Sequence, residues 1–309
     1  MKSETFKFKT KDNADIFTYK WLPDNEKEMK AVVQLSHGMA EHGRRYERFA
    51  GELTGSGYGV YINDHRGHGK TAGSVEALGF FADENGWNLV VEDMHQLTGI
   101  IKENHPDLPV FLLGHSMGSF LSRNYIYLYG NKLKGVLLSG TAGDPGLLGA
   151  IGILLAKREC KKKGKKTKSP LLDKLSFGSF NKAFKPARTD FDWLSRDDKE
   201  VDKYIDDPYC GEVFTAGFYL DLLGGIKAIN LKSNTNLVPK DLPMFLFAGD
   251  MDPVGKNSKG VKQIFKAYEK AGILDVSCKL YNEGRHEMLN ETNREEVFSD
   301  IIKWLNNHM

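Results

Sequence analysis

The stretch Pro109-Val110-Phe111-Leu112-Leu113-Gly114-His115-Ser116-Met117-Gly118-Ser119-Phe120-Leu121 decides the fold. A short apolar run leads straight into Gly-x-Ser-x-Gly. Phe120, Leu121, Asn124, Tyr125 and Leu128 then recur at helical spacing. The reading is a buried strand, a tight turn and a helix. A serine in such a turn is held in a strained conformation, its hydroxyl at the carboxyl edge of the sheet above a helix N-terminus. The glycines are required because side chains at their positions would collide with backbone. The motif by itself is a weak signal, and the strand before it and the helix after it give it weight.

The same alternation extends in both directions. Upstream, Thr5–Lys9 and Ile16–Trp21 flank a polar Asp12–Asp15 turn and read as a hairpin. Ala31–Ser36 and Tyr58–Asn63 read as buried strands around a helix near Arg44–Gly55. Trp87, Val90, Val91, Met94, Leu97 and Ile101 mark a further helix. Downstream come a strand at Leu133–Ser139, a strand at Pro243–Gly249, a helix near Ser258–Ala271 and a strand near Asp275–Tyr281. A last helix carries Val297, Ile301, Trp304 and Leu305. Strands alternating with helices predict an α/β fold with a mostly parallel central sheet flanked by helices. The pattern lapses between about Ala142 and Lys240, which predicts an insertion over one end of the sheet. The expected division is a core domain of residues 1–141 and 241–309 and an insertion of residues 142–240.

A nucleophilic serine needs a base and a group that orients the base. His286 and His308 are the histidines that follow Ser116. His308 is penultimate and expected to fray, whereas His286 lies just past the last predicted strand. The acid should follow the strand Pro243–Gly249, where Asp250 and Asp252 both qualify on position alone. Asp241 precedes that strand, at the wrong end of the sheet. Acyl transfer also needs donors for an oxyanion. The Met117 N–H follows the serine, and the Met39 N–H lies in the loop after the strand Ala31–Ser36. His37 reads as a structural member of that loop rather than a proton carrier.

Composition narrows the alternatives. With 40% hydrophobic and 27% charged residues over 309, the chain can bury a core and is not a disordered protein. Lys+Arg number 43 against 41 Asp+Glu, so no global charge excess suggests nucleic acid. Cys160, Cys210 and Cys278 are odd in number and widely spaced, which argues against a disulfide framework or a cysteine zinc motif. Asp64-His65-Arg66-Gly67-His68-Gly69 reads as a hydrogen-bonded loop rather than a metal cluster. The N-terminus lacks the apolar region of a signal peptide. Between Lys134 and Lys157 the only charge is Asp144, but Gly140, Gly143, Pro145 and Gly146 interrupt the run. A strand, a loop and an apolar helix start fit better than a membrane span. A cytoplasmic protein is expected.

These residues resemble the α/β-hydrolase superfamily and, more narrowly, its monoacylglycerol lipase and lysophospholipase-like serine hydrolases. The resemblance is carried by His37-Gly38-Met39-Ala40-Glu41-His42 with Arg45-Tyr46, by Asp64–Gly69, and by Gly114–Gly118. Gly249-Asp250-Met251-Asp252-Pro253 and Gly284-Arg285-His286-Glu287 complete it. The family pattern G-x-x-D implies Asp252 as the acid, with Ser116 and His286 as nucleophile and base and Met39 and Met117 N–H as oxyanion donors. Met39 departs from the small residue that relatives often carry there. The resemblance also implies that residues 142–240 are a cap and that no cofactor or metal is needed. The resemblance implies a serine hydrolase that cleaves carboxylic esters through a Ser-His-Asp triad and an acyl-enzyme. Monoacyl lipids such as monoacylglycerols or lysophospholipids are the expected substrates, with a short-chain carboxylesterase on small soluble esters as the main rival. An aminopeptidase is less favoured because no dedicated amine-binding acids are evident in the cap. A noncatalytic binding protein on the same scaffold would be expected to have lost Ser, Asp or His. Oligomeric state is not legible.

Leu147–Ala156 is apolar, and eight basic residues follow between Lys157 and Lys168. One reading is a helix covering the site followed by a solvated, mobile basic loop. The other is peripheral contact with an anionic membrane surface. The cap aromatics Trp193, Tyr204, Tyr209, Phe214 and Phe218 are expected to form mainly cap core.

Overall fold

The computed structural model describes residues 1–309. Its strands are β1 (Lys2–Lys9), β2 (Asp15–Leu22), β3 (Ala31–Ser36), β4 (Tyr58–Asn63), β5 (Val110–His115), β6 (Gly135–Ser139), β7 (Met244–Gly249) and β8 (Val276–Tyr281). They form one sheet in the order β1-β2-β4-β3-β5-β6-β7-β8. The hairpin β1–β2 joins β4 antiparallel, and every later pairing is parallel. The helices are α1 (Glu47–Gly55), α2 (Gly86–Asn104), α3 (Met117–Tyr129), α4 (Leu147–Lys163), α5 (Pro170–Phe177), α6 (Asp198–Asp206), α7 (Ala216–Ile229), α8 (Lys232–Thr235), α9 (Lys259–Lys270) and α10 (Arg294–Asn307).

Every residue of β3, β4, β5, β6 and β7 is buried. That explains their continuous apolar runs: a parallel strand covered on both faces has no polar side to show. Successive side chains divide between two cores. Phe111 and Leu113 pack with α1 and α10, whereas Leu112 packs with α2, α3 and α9. The sheet is therefore covered on both faces, as the alternation predicted, and its carboxyl edge lies free to carry loops.

Residues 142–240 carry the helices α4 to α8 and one isolated bridge between Lys168 and Thr215. Phe218, Tyr219 and Leu222 of α7 join the core shared with α2 and α3. The basic run corrects one expectation. It is not all loop, because α4 continues through Lys163. Lys and Arg are good helix formers, and cations are favoured at a helix C-terminus. The Glu159–Lys163 pair at 2.6 Å adds an i,i+4 contact. The expectation that His308 frays is also overturned. Its ring stacks on Trp304, and its nitrogens bond the Trp304 carbonyl at 2.6 Å and Asp275 at 3.0 Å.

Candidate active site

Ser116 stands between β5 and α3 with φ 51° and ψ −120°, a conformation that L-residues rarely adopt. Its surroundings impose this turn. The Ser116 N–H donates to the Ser139 carbonyl at 2.9 Å, while the Ser119 N–H and hydroxyl both donate to the Ser116 carbonyl. A side chain at Gly118 would drive into the Ser36 carbonyl, and one at Gly114 into the Gly118 carbonyl. β3, β5 and α3 approach so closely here that only glycine fits.

The two aspartates left open by position have different surroundings. Asp252 is fully buried, and its Oδ1 lies 3.0 Å from His286 Nδ1 and accepts the Val254 N–H at 2.9 Å. Asp250 makes no bond to His286; its N–H donates to the Tyr281 carbonyl at 3.0 Å. Burial pulls the His286 imidazole toward neutrality, but the Asp252 charge and hydrogen bond outweigh it. The net pKa lies above the ordinary 6.5. Ser116 and His286 open onto one cavity of about 480 Å³, within the size range of small-molecule sites. His286 is hydrogen-bonded to Asp252 and not to Ser116.

Met39 lines this cavity, and Met117 is the first residue of α3, where a backbone N–H has no intrahelical acceptor. Neither N–H has a backbone partner among the turns and loops. His37 is occupied structurally: Nδ1 bonds the Gly38 carbonyl at 2.8 Å, and Nε2 accepts the His65 N–H at 2.9 Å. Burial holds it neutral, with a pKa of about 3. The Asp64–Gly69 loop is likewise hydrogen-bonded. Asp64 accepts the Gly43 and Lys70 N–H groups at 2.7 Å each, and Arg66 pairs with Asp12 and Asp93.

Two features around the site were missed at the sequence level. The first is a buried ionic network. Glu41 accepts the Gly38 N–H at 2.5 Å, the Tyr46 hydroxyl at 2.9 Å and Arg45 at 2.7 Å. Arg45 also makes a fork with both oxygens of Glu287 at 2.7 Å. Burial would raise the Glu287 carboxyl, but the guanidinium holds it well below the carboxylate range. The network thus ties the loop carrying Met39 to the loop carrying His286. The motif residues Glu41, Arg45 and Glu287 were visible, but nothing in their spacing says that they meet.

The second feature is Trp193. Its ring centroid lies 5.2 Å from that of His286, and its carbonyl accepts the His286 N–H at 3.3 Å. The Glu287 N–H donates to the Leu194 carbonyl at 2.7 Å. Trp193 and Tyr204 line the cavity and are buried together with Leu194 and Cys210, as expected of a core within residues 142–240, whereas Phe214 and Phe218 join the core shared with α2 and α3. The cavity wall is mixed. Met39, Phe177, Phe191, Trp193 and Leu194 supply apolar surface, and Asp173, Lys174, Asn181, Asp190 and Glu212 supply polar groups.

Comparison with known proteins accords with this geometry. The family model described as serine aminopeptidase, S33, matches residues 27–293. A monoacylglycerol lipase of Mycolicibacterium smegmatis is 30% identical over 294 residues, covering 94% of this chain and 92% of that protein. A Homo sapiens monoglyceride lipase is 30% identical over 303 residues, covering 95% and 88%. A crystal structure of a highly thermostable carboxyl esterase from Bacillus coagulans, in complex with glycerol, superposes with a TM-score of 0.92. It is 28% identical and covers 99% of each chain. The chain therefore belongs to the serine aminopeptidase S33 family of α/β-hydrolases, in its monoacylglycerol-lipase-like group, and is a carboxylic ester hydrolase.

Proposed function

We propose that this chain hydrolyses monoacyl lipid esters, such as monoacylglycerols or lysophospholipids, through a serine acyl-enzyme, and that residues 142–240 act as its cap. The observation that carries the reading is the cavity shared by Ser116 and His286. Its wall joins apolar side chains to a polar group from α5 and the following loops, which suits an acyl chain attached to a polar head.

In this mechanism His286 takes the Ser116 hydroxyl proton as Oγ attacks the ester carbonyl. The Asp252 carboxylate stabilises the resulting imidazolium and holds its orientation. The Met39 and Met117 N–H groups receive the oxyanion. His286 then protonates the leaving alcohol, and a water deprotonated by His286 releases the fatty acid. Every step uses groups of the chain, the substrate or water.

The finer reading includes delivery from a membrane surface. Leu147 and Leu148 are 77% and 75% exposed, and Ile151 and Leu154 share their face of α4. Arg158, Lys161 and Lys162 continue that face and are exposed. On α5, Leu171 and Leu175 are exposed, while Asp173, Lys174 and Phe177 line the cavity. An apolar face flanked by cations suits an anionic lipid surface. No helix is long and apolar enough to cross a membrane.

The test is a series of esters from acetyl to long acyl, including monoacylglycerol and lysophosphatidylcholine, assayed with wild type and Ser116→Ala. Ser116-dependent rates rising with acyl length support the proposal. A maximum at acetyl or butyryl would make the chain a short-chain carboxylesterase, and rates at the Ser116→Ala level on every ester would overturn the reading.

A further inference from the structure

His42, Asp207 and Cys210 meet where the loop after β3 touches residues 142–240. One potential ligand atom from each lies within 4.8 Å of the others. His42 Nε2 is 2.9 Å from Asp207 Oδ2. His42 and Cys210 are buried, while the Asp207 side chain is 29% exposed. The residues Asp207-Pro208-Tyr209-Cys210 form a turn. The Cys210 N–H donates to the Asp207 carbonyl at 3.0 Å, and the Tyr209 N–H donates to Asp207 Oδ1 at 2.9 Å. Carboxylate and thiol are thereby presented together to the imidazole across the seam.

We propose that this cluster is a zinc-binding site whose occupation slows ester turnover. Imidazole, thiolate and carboxylate are the donor types zinc prefers. Tetrahedral coordination with bonds of about 2.0–2.3 Å sets ligand atoms roughly 3.3–3.8 Å apart. The present separations, from 2.9 Å to within 4.8 Å, bracket that spacing, so side-chain adjustment suffices. The charges balance. Cys210 releases its thiol proton to solvent, His42 coordinates through an unprotonated nitrogen, and thiolate plus carboxylate neutralise the ion. The exposed side of Asp207 gives the ion its route and admits a water as fourth ligand. The sequence does not announce the site, because His42 stands 165 residues from Asp207.

The consequence for turnover comes from the adjoining bonds. The Ala40 carbonyl accepts the Gly211 N–H at 3.0 Å and the Tyr204 hydroxyl at 2.9 Å. Met39, Ala40, Tyr204 and Gly211 all line the cavity. An ion on His42, Asp207 and Cys210 fastens the loop bearing Met39 to the 207–211 turn and locks two cavity walls together. This second half rests on the proposed esterase reading, whereas the binding half does not.

The experiment titrates metal-free protein with Co²⁺ and then Zn²⁺. It follows thiolate-to-cobalt absorption and bound metal while hydrolysis of a soluble ester is assayed in parallel. One Co²⁺ per chain, a thiolate band displaced by Zn²⁺, and inhibition reversed by EDTA are expected. Cys210→Ser should abolish the band and raise the inhibitory Zn²⁺ concentration tenfold or more. Asp207→Asn, at a partly exposed position, should weaken binding in the same direction and serves if Cys210→Ser does not fold. Cys160→Ser and Cys278→Ser should leave the band intact. No thiolate band, or one that survives Cys210→Ser, overturns the site. A Cys210-dependent band without inhibition overturns the turnover half. A Cys210-dependent band in a protein inactive on every ester supports the site while the esterase reading fails.

Discussion

Gly140 stands against the His286 ring: a Cβ built on it would lie 2.9 Å from His286 Cε1 and 3.1 Å from Nδ1. The same Cβ would come within 3.4 Å of Asp252 Oδ2. Gly140 has φ +57°, and its N–H donates to the Phe247 carbonyl at 3.0 Å. It follows Ser139, whose carbonyl holds the Ser116 N–H. The end of β6 thus touches the surroundings of both Ser116 and His286. Gly140→Ala would add strain of about 1–2 kcal/mol from the left-handed backbone and press on the imidazole. A fall in kcat of roughly 100-fold, the effect of about an ångström of misplacement, is expected with a lowered melting temperature. An unchanged kcat on a soluble ester would show that the imidazole does not depend on this contact.

Glu41→Gln tests the ionic network. The variant keeps one acceptor oxygen for the Gly38 N–H but removes the charge that faces Arg45. Loss of one partner from a buried ionic network costs about 3–5 kcal/mol at most, softened here because Glu287 still pairs with Arg45. The expected result is a melting temperature lower by several degrees and a kcat reduced about tenfold or more, with KM changed little. A shift in KM alone would place Glu41 in substrate binding rather than in holding the Met39 loop.

The pH profile follows from the raised His286 pKa. The base must be neutral to take the Ser116 proton, so kcat/KM should rise with pH through a midpoint above 6.5. Asp252→Asn removes the charge that raises the pKa and leaves burial, which lowers it. Its acid limb should move to lower pH while the maximal rate falls by roughly three to four orders of magnitude. The stability contribution has the opposite pH sense. A raised folded-state pKa stabilises the protein below the unfolded-state value, and that contribution is lost as pH rises through the folded-state pKa. An acid limb unmoved in Asp252→Asn would mean that another group sets it.

The sheet was legible because burial on both faces forces continuous apolar runs, and these matched β3 and β4 to the residue. The motif residues announced themselves through turns that tolerate little else, as with Gly114 and Gly118 around Ser116. Residues 142–240 were not legible in the same way. Their helices pack partly on core helices and partly around a cavity, so exposed leucines interrupt the periodicity on α4 and α5. Trp193 shows a different limit. It meets His286 through its carbonyl and a tilted ring, and the half of that contact made by backbone leaves no mark on residue type. Asp250 and Asp252 stayed open on position because they differ by two residues; the family resemblance pointed to Asp252, and the bond from Asp252 to His286 supplies the physical distinction.

The exposed face of α4 gives a prediction that separates chemistry from delivery. Leu147, Leu148 and Leu154 are exposed and distant in sequence from Ser116, Asp252 and His286, so replacing all three with Ser should leave the fold intact. Turnover of a short, soluble ester should then match wild type within about twofold. On vesicles rich in anionic lipid the result should differ, because each leucine that leaves water contributes on the order of 1 kcal/mol or more to binding. Three such losses predict vesicle affinity and interfacial activity reduced by at least roughly tenfold. Added salt should weaken wild-type binding by screening Arg158, Lys161 and Lys162. The triple variant, with the same basic residues, should keep that salt dependence at lower affinity. Equal vesicle sedimentation of the two proteins would take the leucines out of membrane binding and leave any salt-sensitive binding to Arg158, Lys161 and Lys162 alone.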